Sequence, residues 1–151
     1  MSDVATGIPA IEFSEAKTHL SDVMSNVVRD HQPRLVSRHR GKESMILLSA
    51  EDLVNTLRHY RFESEVIFSD GEVTAQLPLL GLLGFGTTLD EALADLLAEL
   101  RAYTYRFFDQ SSLYMQSTRR EHWPWLLRFA LTPPDEQARL LEEPPPSPTA
   151  P

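Results

Sequence analysis

Cysteine is missing from all 151 residues, which excludes a disulfide framework and every thiolate-ligated metal site and suits a reducing compartment. Long apolar runs are missing too: no window approaches the roughly 18 residues of a membrane helix. Met1 to Ala10 lacks a basic stretch followed by an apolar one, so no secretory leader is read there and the cytoplasm is the expected compartment. The spacings that carry catalysis are also absent. The five histidines (His19, His31, His39, His59, His122) lie in separate segments with no metal-ligand spacing, and no Gly-x-Ser-x-Gly elbow surrounds a serine. Gly81, Gly84 and Gly86 are separated by bulky apolar residues and followed by no lysine, which fits a tight connection packed on a sheet better than a phosphate cradle. Asp90-Glu91 falls in the first turn of a predicted helix, where carboxylates stabilise the helix dipole without any catalytic role. The chain is read as a non-enzyme with no metal site and no cofactor.

What the sequence does contain is an uneven distribution of charge. The net charge is −8, yet residues 10–50 hold six basic side chains against five acidic ones, so the remainder carries eight basic and 17 acidic residues, a net of −9. Arg34, Arg38, Arg40 and Lys42 follow Pro33 with no acid among them, which is the one cluster of the sign needed to approach a phosphate backbone. Taken alone, that cluster fits a solvated loop better than a DNA contact.

Hydrophobic periodicity supplies the elements. Phe13, Ala16, Leu20, Val23, Met24 and Val27 recur at helical spacing behind Ser14 as N-cap, predicting one helix over 14–29 that stops before Pro33. Strands are predicted at 34–37 and 44–48 around a basic turn at Arg40-Gly41-Lys42, followed by a short helix opened by a Ser49/Asp52 capping box. A second hairpin is predicted from strands at 62–68 and 73–77 flanking Asp70-Gly71, and a helix over 89–108 capped by Thr88. Pro124 belongs in the first turn of a further short helix, and another is expected from Thr132 toward Glu143. Residues 144–151 read as a disordered proline-rich tail.

Residues 8–58 resemble the N-terminal module of Phd/YefM (prevent-host-death) antitoxins. The likeness rests on Ile11-Glu12-Phe13-Ser14-Glu15-Ala16-Lys17 with Leu20, on Pro33-Arg34-Leu35-Val36-Ser37-Arg38 with Gly41-Lys42, and on Met45-Ile46-Leu47-Leu48-Ser49-Ala50-Glu51-Asp52-Leu53. The resemblance implies an α+β homodimer that binds operator DNA and represses its own operon, with Lys17 and Arg38 at the positions that contact DNA. Lysine stands at the first of these where arginine is more usual. Residues 62–108 are similar, more loosely, to HicB-like antitoxin domains, through the Asp70-Gly71 turn, Leu77-Pro78-Leu79 and Gly86-Thr87-Thr88-Leu89-Asp90-Glu91-Ala92-Leu93. In that group a small sheet backed by a helix covers a toxin.

The expectation is thus an α+β antitoxin: a helix-hairpin-helix dimerisation module at 8–58, a β-hairpin plus helix module at 60–110 and a helical extension at 111–143. DNA-binding residues are expected at Lys17, Arg34, Arg38, Arg40 and Lys42, arginine being favoured for bidentate contacts. Tyr103, Phe107, Phe108, Tyr114, Trp123, Trp125 and Phe129 are expected to anchor the cognate protein toxin, with packing inside their own module as the competing role. Two other readings remain: a DNA-binding autorepressor without a toxin, and a nuclease of ribonuclease-H-like topology, for which Glu63, Glu65, Asp70 and Glu72 on one exposed hairpin lack a partner site.

Overall fold

A computed structural model describes residues 7–143, so the predicted tail at 144–151 lies outside the described residues. The fold is α+β, in two compact units that divide between Thr56 and Leu57.

In the first unit the order is β1 (Ala10–Glu12), α1 (Phe13–Thr18), α2 (Leu20–Arg29), β2 (Arg34–Arg38), β3 (Glu43–Leu47) and α3 (Ala50–Leu57). The predicted hairpin is present within one residue at each end. Its sheet has a third member: β1 pairs in parallel with β2, Ile11 opposite Val36, making the order β1-β2-β3. The single helix expected over 14–29 is two helices meeting at His19, whose backbone leaves the helical region (φ −114°, ψ 33°). Immediately before the break, the Thr18 hydroxyl donates to the Ser14 carbonyl one turn back at 2.9 Å, a back-bond that competes with the helical ladder and bends it. Helix α1 begins at Phe13 with no side-chain cap, so Ser14 is a helical residue rather than the N-cap.

The serine half of the predicted capping box forms, the Ser49 hydroxyl accepting the Asp52 N–H at 3.1 Å at the start of α3, while the Asp52 carboxylate turns to His31. Packed between helices and sheet are Ala16, Val23, Val27 and Val36. Leu20 and Met24, which helical spacing assigned to the same face, are instead exposed, because the turn at His19 resets the rotation of α2 relative to α1.

The second unit contains β4 (Glu65–Ser69), β5 (Glu72–Leu77), β6 (Leu82–Gly86), the long helix α4 (Leu89–Asp109), α5 (Ser111–Tyr114), α6 (Trp123–Leu131) and α7 (Gln137–Leu140), with 3₁₀ turns at Thr118–His122 and Pro134–Glu136. An antiparallel sheet of order β4-β5-β6 replaces the expected hairpin. Strand β6 was expected as an irregular connection. Its glycines have a packing purpose: a Cβ at Gly84 would lie 2.3 Å from the Leu96 backbone nitrogen, and one at Gly86 would lie 2.5 Å from the Glu91 Cβ. Removing those two side chains lets α4 lie directly on the strand.

Helix α4 forms where predicted, with the Thr88 hydroxyl accepting the Glu91 N–H. Val73, Ala75 and Leu77 of β5 meet Ala92, Leu96 and Leu100 of α4 in one core. Leu126, Phe129, Leu140 and Leu141 belong to that same core, so residues 111–143 are part of the unit rather than an appendage to it. The return is tied down by polar contacts: Arg128 reaches Glu143 at 2.8 Å and the Tyr60 carbonyl at 3.0 Å, and the Trp125 indole donates to the Arg61 carbonyl at 3.0 Å.

Candidate nucleic-acid and partner interfaces

The basic end of the first unit is the β2–β3 turn. Register places Arg38 opposite Glu43, leaving His39-Arg40-Gly41-Lys42 as a four-residue tip. Three successive tip residues are left-handed: His39 (φ 55°), Arg40 (φ 58°) and Gly41 (φ 80°). Glycine adopts that conformation freely, whereas each of the other two pays roughly 1–2 kcal/mol for it. Arg40 and Lys42 are exposed there and form no ion pair with described residues.

The remaining predicted contacts are placed differently. Arg38 donates to Glu43 at 2.9 Å, its guanidinium lies 5.8 Å from the Phe13 ring, and Glu43 also faces His39 at 3.2 Å. Its charge is therefore partly offset within the unit. Arg34 is half-buried and donates to the Gln32 side chain at 3.0 Å, which commits it to the α2–β2 connection. Lys17 is exposed and stands in the last turn of the six-residue α1, although a helix running from 14 to 29 would have put it in the first. No helix N-terminus therefore assists it. Beside Arg38 and Glu43, Phe13, Val36 and Met45 line an open groove of about 300 Å³.

Sequence reasoning missed the apolar surface of this unit. Phe13, Leu20, Met24, Val28, Met45, Ile46 and Leu48 are all exposed, Met24 to 64%. The signal was present: Leu20, Met24 and Val28 recur every four residues, a stripe distinct from the buried Val23 and Val27.

In the second unit three of the seven expected aromatic anchors are buried, and Phe108, Tyr114, Trp123 and Trp125 are half-buried against the same core. Tyr103, Phe107 and Phe129 are at most 2% exposed, so they have no surface to offer a partner in this conformation. Phe107 stacks on Tyr114 at 4.9 Å, Phe108 meets Trp123 edge-on at 5.1 Å, and Trp125 meets Tyr60 at 4.9 Å. The reason is the return of α5 and α6 across α4, which turns the aromatics into the seam between helices. The Tyr103 hydroxyl and His122 Nδ1 are 2.7 Å apart in the same seam, and burial there pushes the His122 imidazole below its ordinary pKa. The large apolar residues exposed in the second unit lie elsewhere, chiefly on β4 and β6: Val66, Ile67, Phe68, Leu83 and Phe85.

The α+β chain carries a basic hairpin tip on one unit and an acidic, partly apolar sheet on the other. It belongs to the PHD_like family, described as antitoxin of toxin-antitoxin, RelE / RelB, TA system, whose model matches residues 8–142. A crystal structure from Syntrophomonas wolfei subsp. wolfei, described as the antitoxin part of a proposed toxin/antitoxin system, has a similar fold. The TM-score is 0.79 at 21% identity, over 88% of this chain and 96% of that one. Comparison with curated proteins gives no match.

Proposed function

We propose that this antitoxin divides its work between its units. The first, of the Phd/YefM kind, dimerises, binds operator DNA and represses its own operon. The second, of the HicB-like kind, binds and neutralises the toxin in the cytoplasm. Both act by binding rather than by catalysis.

The observation that carries the reading is the separation of charge. Residues 62–100, which form β4, β5, β6 and the first half of α4, contain eight acidic side chains and no basic one. The hairpin tip of the first unit presents Arg40 and Lys42, with Arg38 beside them. One surface suits a polyanion and the other a cationic protein, and like charge repels the wrong partner from each.

Dimerisation has separate support. Among the described residues, a core of four buried apolar side chains is small for a unit of this length, while seven large apolar side chains lie exposed on it. Domains of about 50 residues are marginal alone, and a two-fold partner that covers such a face completes the core.

The test uses the full chain, the DNA upstream of its own reading frame and the product of the adjacent reading frame. Fluorescence anisotropy against salt is expected to show binding that fades steeply as salt rises, with a preference over scrambled DNA. Co-expression is expected to yield a co-purifying complex and to rescue growth. Equal affinity for scrambled DNA would remove the operator role. Operator binding without complex or rescue would leave an autorepressor that has no toxin.

A further inference from the structure

We propose that the free edge of β4 is a docking strand, to which the partner protein adds a basic, extended segment as the fourth strand of the sheet. This rests on the reading that the second unit binds the toxin, and it specifies how.

The two edges of the sheet differ. On β6 the outward Phe85 N–H is taken by the Asp95 carboxylate at 2.9 Å, and just beyond the strand the Thr87 N–H is taken by Glu91 at 2.8 Å. Side chains of α4 thus close that edge at Phe85 and Thr87, though not at Leu83, which the same antiparallel alternation turns outward. On β4 no described group does the same. Ser69 and Glu72 flank the two-residue turn Asp70-Gly71 (φ 49° and 77°), so they form the hydrogen-bonded pair that closes the hairpin. Antiparallel alternation then turns Ile67 and Glu65 toward β5, and the N–H and C=O groups of Val66 and Phe68 outward. Those outward groups have no protein partner among the described residues.

Edge strands are ordinarily protected by lysine, proline, a bulge or a covering element. The run Glu65-Val66-Ile67-Phe68-Ser69 has no lysine and no proline, and it pairs with β5 residue for residue without a bulge. Helix α4 packs on β5 and β6. Phe68 shares the α4 side of the sheet with Val73 yet remains 69% exposed, while Ile67 is exposed on the opposite side. An added strand would therefore find unmade main-chain bonds and an apolar side chain on each face, the two requirements of strand addition.

Charge selects the occupant. Glu63, Glu65, Asp70 and Glu72 surround this edge, and the nearest basic residues in sequence on either side are Arg61 and Arg101. A second copy pairing β4 to β4 would bring the same four acids against them. A cationic strand gains from the field that repels a copy of this chain.

The experiment takes the full chain, isotopically labelled, free and in complex with the product of the adjacent reading frame. Amide exchange at Val66 and Phe68 is expected to slow by about tenfold or more on complex formation, whereas Ile67, already bonded to β5, changes little. Phe68→Pro, which deletes the outward N–H, is expected to weaken binding about tenfold beyond Phe68→Ala, which keeps it. Should the proline variant lose its fold by circular dichroism, Phe68→Lys serves instead: the exposed position accepts it, and the added cation repels a basic strand. A complex that forms with Val66 and Phe68 exchanging as in the free protein, or that tolerates Phe68→Lys, overturns the docking strand and leaves the antitoxin reading intact. Failure of the wild-type chain to form any complex overturns both. Protection of the two amides in the isolated protein, rising with its concentration, identifies a second copy as the occupant and overturns the basic partner.

Discussion

His31 Nδ1 stands 3.0 Å from both carboxylate oxygens of Asp52, joining the end of α2 to the first turn of α3. His31 is left-handed (φ 54°), so the chain leaves α2 in a conformation that a side-chain contact helps to hold. The hydrogen bond to Asp52, and then its charge, raise the His31 pKa above the ordinary 6.5. The Ser49 hydrogen bond, and then that of His31, lower the Asp52 pKa below the ordinary 3.8. The contribution of His31 is fully present below pH 6.5 and is lost as pH rises through its raised value. That of Asp52 is present above 3.8 and is lost as pH falls through its lowered value.

The first prediction concerns the two structured histidines. NMR titration is expected to show His31 titrating above 6.5 and His122 below it, the latter because burial and then Arg119 disfavour its cation. For His122 the sign is opposite: its contribution is complete above 6.5 and is lost as pH falls toward the folded value. Asp52→Asn should return His31 toward 6.5 and leave His122 unchanged. An unshifted His31 in the wild type would mean that the pair does not persist in solution.

Glu43 restrains the basic tip, since it holds Arg38 at 2.9 Å and faces His39. Glu43→Gln is therefore expected to tighten operator binding several-fold and to steepen the salt dependence by about one unit of slope, as one more cation becomes free for phosphate. Weaker binding by a folded variant would show that the carboxylate orients Arg38 for DNA instead of competing for it.

Met24→Glu places a charge in the exposed Leu20-Met24-Val28 stripe. It is expected to shift the protein from dimer to monomer in sedimentation and to reduce DNA affinity by at least about tenfold, because two linked half-site contacts become one. A dimer that survives the charge would place the self-association surface elsewhere.

Two substitutions probe the second unit. Gly84→Ala must displace the backbone of α4 and is expected to cost about 1–3 kcal/mol. Phe107→Ala should cost about 3–5 kcal/mol by opening a cavity among Tyr103, Tyr114 and Trp123. Both are read by chemical denaturation. Toxin binding lost by Phe107→Ala with unchanged stability would restore that ring to the role of partner anchor.

Local signals were enough for the elements whose causes are local. Thr88 and the apolar spacing behind it specify α4, the Ser49/Asp52 box specifies α3, and Asp70-Gly71 specifies the turn between β4 and β5, because caps, helical period and left-handed turns depend on neighbours within about four residues. The α+β class follows from the same signals. Tertiary structure decided what depends on distant partners. Three residues at Ala10–Glu12 become a strand by lying beside Leu35–Ser37, and Leu82–Gly86 becomes one by accepting α4 on its glycines. Periodicity marked Leu20, Met24, Phe107 and Phe129 alike as apolar, but burial is set by what crosses over each side chain. The return of α5 and α6 covers the aromatics, and nothing among the described residues covers the α2 stripe. The same holds for charge: sequence placed Arg34, Arg38, Arg40 and Lys42 in one basic run. The strand register set Glu43 against Arg38 and the α2–β2 connection set Gln32 against Arg34, so that Arg40 and Lys42 are left without such a neighbour among the described residues.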